Sequence, residues 1–204
     1  PRLAAGPVLV ARIQLARKDW AAAQSAALAA AELAPGDAGV YAVAVPAFTA
    51  APEQPAAALA RLDAFLAKHV AQPLAVLFGG QVYTAKKDFA KVRDLYEKHL
   101  AANSGSSAVM NNLANLHVDQ LNDLERGLEL ARKARELAPA SPAVADTLGW
   151  ILYRKNDVPG ALPHLQFAAA NLGDNPEVQY HFGVASLAAG NEANALAALR
   201  AAAA

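Results

Sequence analysis

Amides and aromatic rings carry most of the chemistry that this sequence offers. Asn111 and Asn115 are four residues apart, a spacing that places both carboxamides on one face of a helix. Carboxamides satisfy the backbone groups of an extended peptide, and they pair equally well with the hydroxyls of a sugar chain. Trp150 and Tyr153 are also at helical spacing, and each offers a large contact area with a polar tip. These residue types favour a binding surface over a reactive centre.

Residue patterns typical of catalytic or metal sites do not occur in the sequence. The five histidines fall in no HExxH or His–Cys pattern, and the chain contains no cysteine. The repeat frame allows His164 and His181 to meet in space, but histidines on helix surfaces far outnumber metal ligands, so no metal site is expected there. The segment 104–107 is Ser-Gly-Ser-Ser and lacks the strand–turn–helix context of a nucleophile elbow. We predict that the protein is not an enzyme and has no catalytic residue, no metal site and no cofactor.

The composition excludes further function classes. The formal net charge is zero, so neither nucleic acid nor an acidic membrane surface is an expected partner. Hydrophobic residues make up 55% of the chain, enough to bury a large core, and the abundant alanine favours closely packed helices. No window of about 18 apolar residues occurs, so no membrane-spanning helix is predicted. The chain begins at Pro1 rather than methionine, and we expect a fragment of a longer protein.

The sequence repeats with a period of about 34 residues, and this period predicts the helices that position these side chains. Gly149 and Gly183 are 34 residues apart in segments that align along their length, and Gly80 occupies the same position earlier in the chain. A fixed period of this length is typical of stacked helix pairs. Ser141-Pro142 and Asn175-Pro176 predict helix starts, because each puts a capping side chain before a proline at the first helical position.

The period divides the chain into six predicted repeats of two helices each. The second repeat is degenerate, because Pro46 stands inside its first helix where a small residue belongs, and we expect it to kink or shorten that helix. In the third repeat, His99 replaces the usual alanine, and loose packing is expected there. The predicted repeats are 4–38, 39–72, 73–106, 107–141, 142–175 and 176–204. The predicted fold is all-α, a single stack of about twelve helices over residues 1–204.

These motifs resemble the tetratricopeptide repeat (TPR). Leu148-Gly149, Ala161 and Leu165 match its pattern of large and small residues, and Gly80 with Tyr83 matches it again. The resemblance implies an α-solenoid, a right-handed α–α superhelix in which the first helices of successive repeats line a concave groove. The groove residues that it implies are Gln81, Asn111, Asn112, Asn115, Asp146, Trp150, Tyr153 and Tyr180.

Two of these groove assignments can be weighed against packing. For Trp150, packing between repeats is as well supported as a place in the groove. Asn111 and Asn115 favour the groove, because burying two carboxamides in a core is costly.

The resemblance implies a non-catalytic scaffold that binds a peptide or protein partner in this groove. Asn115 matches an asparagine of the repeats that hold the C-terminal carboxylate of chaperones, but the neighbouring Lys and Arg are missing, so that class of partner is not expected. Two alternatives stay open. The same groove could bind a polysaccharide directly, or the repeats could form a regulatory domain of a larger enzyme.

Three short segments are similar to a bacterial group, the PEP-CTERM system TPR-repeat lipoproteins that accompany exopolysaccharide and protein-sorting loci. The segments are 111–114 (NNLA), 146–150 (DTLGW) and 180–183 (YHFG). This similarity implies a part in a bacterial envelope, exopolysaccharide or protein-export system. The implied location is periplasmic or attached to the outer membrane, with membrane contact only through a lipid anchor outside the given residues. A cytoplasmic location is the alternative.

Overall fold

The computed structural model of the chain describes residues 3–52 and 55–203. Twelve α-helices and no strand lie in these ranges, which confirms the predicted all-α fold of about six helix pairs. The helices form two compact units, Pro1–Ser104 and Gly105–Ala204. Residues 53–54 of the second predicted repeat and residue 204 of the sixth lie outside the described residues. A single continuous solenoid over the whole chain stays a prediction.

Three helix pairs make up the first unit. Their bounds are α1 (Ala5–Ala16), α2 (Trp20–Leu33), α3 (Ala38–Thr49), α4 (Ala56–Lys68), α5 (Pro73–Ala85) and α6 (Phe89–Ala102). The second unit also has three pairs. Their bounds are α7 (Ser107–Asp119), α8 (Leu124–Leu137), α9 (Pro142–Arg154), α10 (Val158–Asn171), α11 (Pro176–Ala188) and α12 (Glu192–Ala202). None of these helices is both long enough and apolar enough to span a bilayer.

A common turn joins the two helices of five pairs. One residue adopts a positive φ, and the next caps the second helix by accepting a hydrogen bond from a backbone N–H of its first turn. The positive-φ residues are Lys18, Lys87, Asn122, Asn156 and Gly190. The capping residues are Asp19, Asp88, Asp123, Asp157 and Asn191.

Small residues let the paired helices approach closely, as the repeat pattern predicts. A Cβ atom added at Gly149 of α9 would lie 2.7 Å from Cγ of Leu165 in α10. One added at Gly183 of α11 would lie 2.7 Å from Cγ of Leu199 in α12. Real Cβ atoms do not come this close, so a side chain at either position would force the pair apart.

The second repeat departs from this packing. Its first helix, α3, contains Pro46 and continues three residues past it to Thr49. Its second helix, α4, begins after Pro55 with no side-chain cap. The main contacts of α4 are with α2 and α5 rather than with its own partner α3. Pro46 replaces the small residue that would admit α4, which is consistent with this displacement.

An open cavity of about 570 Å³ lies between α4, α5 and α6 of the first unit. His99 is fully buried next to it, and its Nδ1–H donates to the carbonyl of Val70 at 2.7 Å. On the opposite side Tyr83 donates to Asp63, and burial together with this bond raises the pKa of Tyr83. The loose packing expected of α6 stays a prediction, and Nε2 of His99 is buried without a hydrogen-bond partner among the described residues.

Candidate functional site

A polar recess crosses the first helices of the second unit. The helices α7, α9 and α11 pack in order, each against the next. Side chains at helical spacing on each of them, together with the α10–α11 loop, enclose a space of about 210 Å³. We call this space the recess. Its lining is Asn111, Asn115, Asp119, Ala143, Asp146, Thr147, Trp150, Leu172, Asn175, Glu177, Val178 and His181.

The two asparagines of α7 differ in how their carboxamides are used. Asn115 donates from Nδ2 to Oγ1 of Thr147 at 3.3 Å, and Thr147 in turn donates to the carbonyl of Ala143 at 3.2 Å. Asn111 is only 8% exposed, yet its Oδ1 has no hydrogen-bond partner among the described residues. Leaving a buried acceptor unpaired costs about 1–3 kcal/mol. A ligand that donates a hydrogen bond to Asn111 would recover that cost.

Asp146 and His181 form a hydrogen-bonded pair across α9 and α11. The Nδ1–H of His181 lies 3.0 Å from Oδ2 and 3.1 Å from Oδ1 of Asp146, so one donor is shared between both carboxylate oxygens. Both side chains are mostly buried. A carboxylate has about four acceptor positions, so Asp146 keeps acceptor capacity for a second donor.

Aromatic rings continue from this pair along one side of the recess. The indole of Trp150 is stacked on His181 with centroids 4.0 Å apart, and on Tyr153 with centroids 5.2 Å apart. Tyr180 lies at the outer end, tilted by 58° and 6.2 Å from Trp150, and is about half exposed. Trp150 therefore packs on a residue of the next repeat and also lines the recess. Its packing between repeats is therefore observed, and its role in partner binding stays a prediction.

One further carboxylate of the recess is held by an ion pair. Arg154 of α9 donates to Oδ1 of Asp119 in α7 at 2.9 Å, and both side chains are partly exposed. Exposed pairs of this kind contribute little to stability, about 0–1 kcal/mol. The ion pair with Arg154 orients the carboxylate of Asp119 at one end of the recess.

The structure gathers some of the predicted groove residues and separates others. Asn111, Asn115, Asp146 and Trp150 line the recess, and Tyr153 and Tyr180 extend its aromatic side. Asn112 is half-buried on α7 and does not line it. Gln81 is exposed on α5 in the other unit. The binding role of all eight residues stays a prediction.

Sequence reasoning assigned no binding role to His181, Thr147 or Glu177. A signal for His181 was present, because it follows Asp146 by 35 residues, about one repeat. Residues one repeat apart lie at equivalent places on neighbouring first helices, so a polar pair at that spacing predicts a contact. Asp119 and Arg154 have the same separation of 35 residues and also form a contact.

The recess is chemically suited to binding. Several of its polar groups are already hydrogen-bonded to one another or to the backbone, and no serine or cysteine is found among its described lining residues. His181 pairs with Asp146, and His164 does not line the recess. Within residues 3–52 and 55–203, no group of three or more histidine, aspartate or glutamate side chains could hold a metal ion. The arrangement can hold a ligand through hydrogen bonds and aromatic contact.

No family model matches the chain, and no curated protein matches it. Solved structures do resemble it. YrrB, described as a TPR protein with an unusual peptide-binding site, is 23% identical with a TM-score of 0.57, and the match covers 85% of this chain and 88% of that one. PilF of Pseudomonas aeruginosa is 17% identical with a TM-score of 0.67, covering 96% and 88%. A tetratricopeptide repeat protein of Parabacteroides merdae is 14% identical with a TM-score of 0.64, covering 98% and 78%. The chain has the tetratricopeptide-repeat fold.

Proposed function

We propose that this chain is a non-catalytic scaffold that binds an extended peptide segment of a partner protein across α7, α9 and α11. The observation that carries this is the recess itself, whose lining includes Asn111, a residue with a buried Oδ1 that lacks a hydrogen-bond donor. The backbone N–H of an extended segment is such a donor. The aromatic side formed by Trp150, Tyr153 and Tyr180 adds apolar contact area next to it. The peptide-binding site described for YrrB, which has the same fold, supports the proposal.

Selection of peptides on the protein tests this function. Random peptides of about ten residues are long enough, at roughly 3.3 Å per residue, to cross three helices packed 8–10 Å apart. Peptides selected on the full chain are resynthesised, and their affinity is measured by fluorescence anisotropy. We expect the double variant Asn111→Ala/Asn115→Ala to weaken binding about tenfold or more, since each lost hydrogen bond costs on the order of 1 kcal/mol. Gln166→Ala, on the exposed side of α10, is the matched control.

Two results of this experiment would reject the groove. One is a selection that yields no peptide above background. The other is an unchanged affinity in the double variant while circular dichroism shows it folded.

Direct binding of a polysaccharide is the second candidate function. It is favoured by the aromatic rings beside a polar recess, because rings stack on sugar faces while carboxylates and carboxamides meet hydroxyls. The chain has two tryptophans, so the variant Trp20→Phe leaves Trp150 as the sole tryptophan. Titrating that variant with oligosaccharides of a bacterial exopolysaccharide should change its fluorescence if sugars bind. A flat titration rejects this candidate.

The cellular setting that we propose is a bacterial envelope, exopolysaccharide or protein-export system. The support is the similarity of the segments 111–114, 146–150 and 180–183 to PEP-CTERM system lipoproteins. On this proposal the protein is periplasmic or attached to the outer membrane by a lipid anchor. Cell fractionation of the full-length gene product, followed by immunoblotting, tests it. Recovery with the cytoplasmic fraction would reject the proposed location.

A further inference from the structure

The lining of the recess is acidic. Three carboxylates line it, those of Asp119, Asp146 and Glu177. No lysine or arginine is found among its lining residues in the described part of the chain. The amino group of Asn115 is already directed to Thr147. A ligand that fits this surface must bring donors and positive charge.

The buried acceptor of Asn111 points to the same chemistry independently of the charges. This side chain is more than nine-tenths buried, and its Oδ1 has no partner within residues 3–52 and 55–203. It stands four residues before Asn115 on the face of α7 that lines the recess. Asp146, across from it on α9, receives one shared donor from His181 and retains free acceptor positions.

We propose that the recess selects partner segments that carry a basic side chain, with arginine preferred over lysine. This inference rests on the proposed peptide-binding function and names its specificity. A guanidinium presents five N–H donors in a fixed plane, which suits several acceptors distributed around one small space. Lysine carries the same charge on a compact ammonium with three donors, so it meets fewer of these acceptors at once.

The carboxylates of the recess differ in their availability to such a side chain. Asp119 already contacts Arg154, and that ion pair neutralises much of its charge. Glu177 is exposed in the first turn of α11 and forms no ion pair among the described residues. Asp146 is the most buried of the three, with only 13% of its side chain exposed. We therefore assign the main charge contact to Asp146 and a weaker one to Glu177.

A set of matched peptides tests this specificity on the full chain. Each peptide has an extended sequence of about ten residues that binds in the selection described above. One position is varied among arginine, lysine, citrulline, glutamine and glutamate. Citrulline keeps the shape of arginine and removes its charge. We expect the arginine peptide to bind about tenfold more tightly than the citrulline peptide, with lysine intermediate and glutamate weakest.

Protein variants locate the preference in the recess. Asp146→Asn and Glu177→Gln should each reduce the ratio of arginine to citrulline affinity, Asp146→Asn by more. Glu136→Gln removes an exposed carboxylate of α8 in the same unit and should leave the ratio unchanged. Affinity for the citrulline peptide, with circular dichroism, shows that each variant is folded.

The possible results separate this inference from the function on which it rests. Equal affinity for the arginine and citrulline peptides overturns the inference and leaves peptide binding intact. A preference for arginine that persists in Asp146→Asn and Glu177→Gln overturns the assignment to the recess. Failure of every peptide to bind rejects the proposed function itself.

Discussion

The imidazole of His181 lies parallel to the indole of Trp150, with centroids 4.0 Å apart and planes 15° apart. The same imidazole donates to Asp146 through Nδ1, so its orientation is set by a hydrogen bond. The stacked ring of Trp150 is thereby held against α11. Asp146, His181 and Trp150 act as one rigid wall of the recess.

The first prediction concerns this wall. In a Trp20→Phe background, His181→Ala should shift the emission of Trp150 to longer wavelength and increase its quenching by acrylamide. The reason is that the half-buried indole loses the ring that covers it. Gln166→Ala in the same background should leave both signals unchanged. Unaltered emission in His181→Ala would mean that Trp150 is held by other contacts.

The second prediction concerns the glycine of the fifth repeat. Gly149→Ala should lower the free energy of unfolding by about 1–3 kcal/mol, because the new methyl group would lie 2.7 Å from Cγ and 2.9 Å from Cδ2 of Leu165. The measurement is urea unfolding followed by circular dichroism. Better helix propensity offsets about 1 kcal/mol at most.

Gly6→Ala is the control for this substitution. Gly6 also lies in a helix, α1, but a Cβ added there meets nothing within 4 Å. Its replacement should leave stability equal or raise it by about 0.5–1 kcal/mol. If Gly149→Ala were as stable as Gly6→Ala, the close approach of α9 and α10 would not depend on the glycine.

Local packing and turn chemistry were predictable from the sequence to a large extent. The 34-residue spacing of Gly149 and Gly183 is a direct consequence of close helix pairing, so it locates both members of each pair. A capping side chain such as Ser141 or Asn175 next to a proline also has one dominant structural meaning. These signals depend on neighbours in the chain or on a fixed period.

The composition of the recess was less predictable, because it depends on which side chains already satisfy one another. Asn111 and Asn115 look alike in the sequence, yet one is bonded to Thr147 and the other retains an unpaired oxygen. The contacts of α4 were also not predictable from the sequence. Pro46 signals a disturbed repeat, but the new neighbours of α4 follow from three-dimensional packing with α2 and α5.

The third prediction concerns Pro46 in α3. Proline has no N–H, so the helical hydrogen bond to the carbonyl of Ala42 is missing. Pro46→Ala should restore it and raise the free energy of unfolding by about 1 kcal/mol or more. Pro73→Ala changes a proline at the start of α5, where no such bond is lost, and should be neutral or slightly destabilising. A Pro46→Ala protein no more stable than the parent would show that the local backbone has adapted fully to proline.

The fourth prediction concerns acid stability and His164 in α10. Burial, with the positive charge of Arg135 as a second cause, lowers the pKa of His164 below its usual 6.5. The folded state therefore favours the neutral imidazole. Well above pH 6.5 neither the folded nor the unfolded state is protonated there, and the full stability is present. As the pH falls through the unfolded pKa, the unfolded state takes up the proton first and the free energy of unfolding decreases.

His164→Gln removes this proton uptake. Between about pH 7.5 and 5, the variant should lose less stability than the parent, since its side chain does not titrate in that range. Urea unfolding at a series of pH values gives the two slopes. The other histidines and the carboxylates contribute equally to both proteins, so the difference between the slopes isolates His164. Parallel slopes would mean that the imidazole is as easily protonated in the folded protein as in the unfolded chain. An NMR titration of the His164 ring protons in the parent distinguishes the same two outcomes without a substitution, because a lowered pKa moves their midpoint to lower pH.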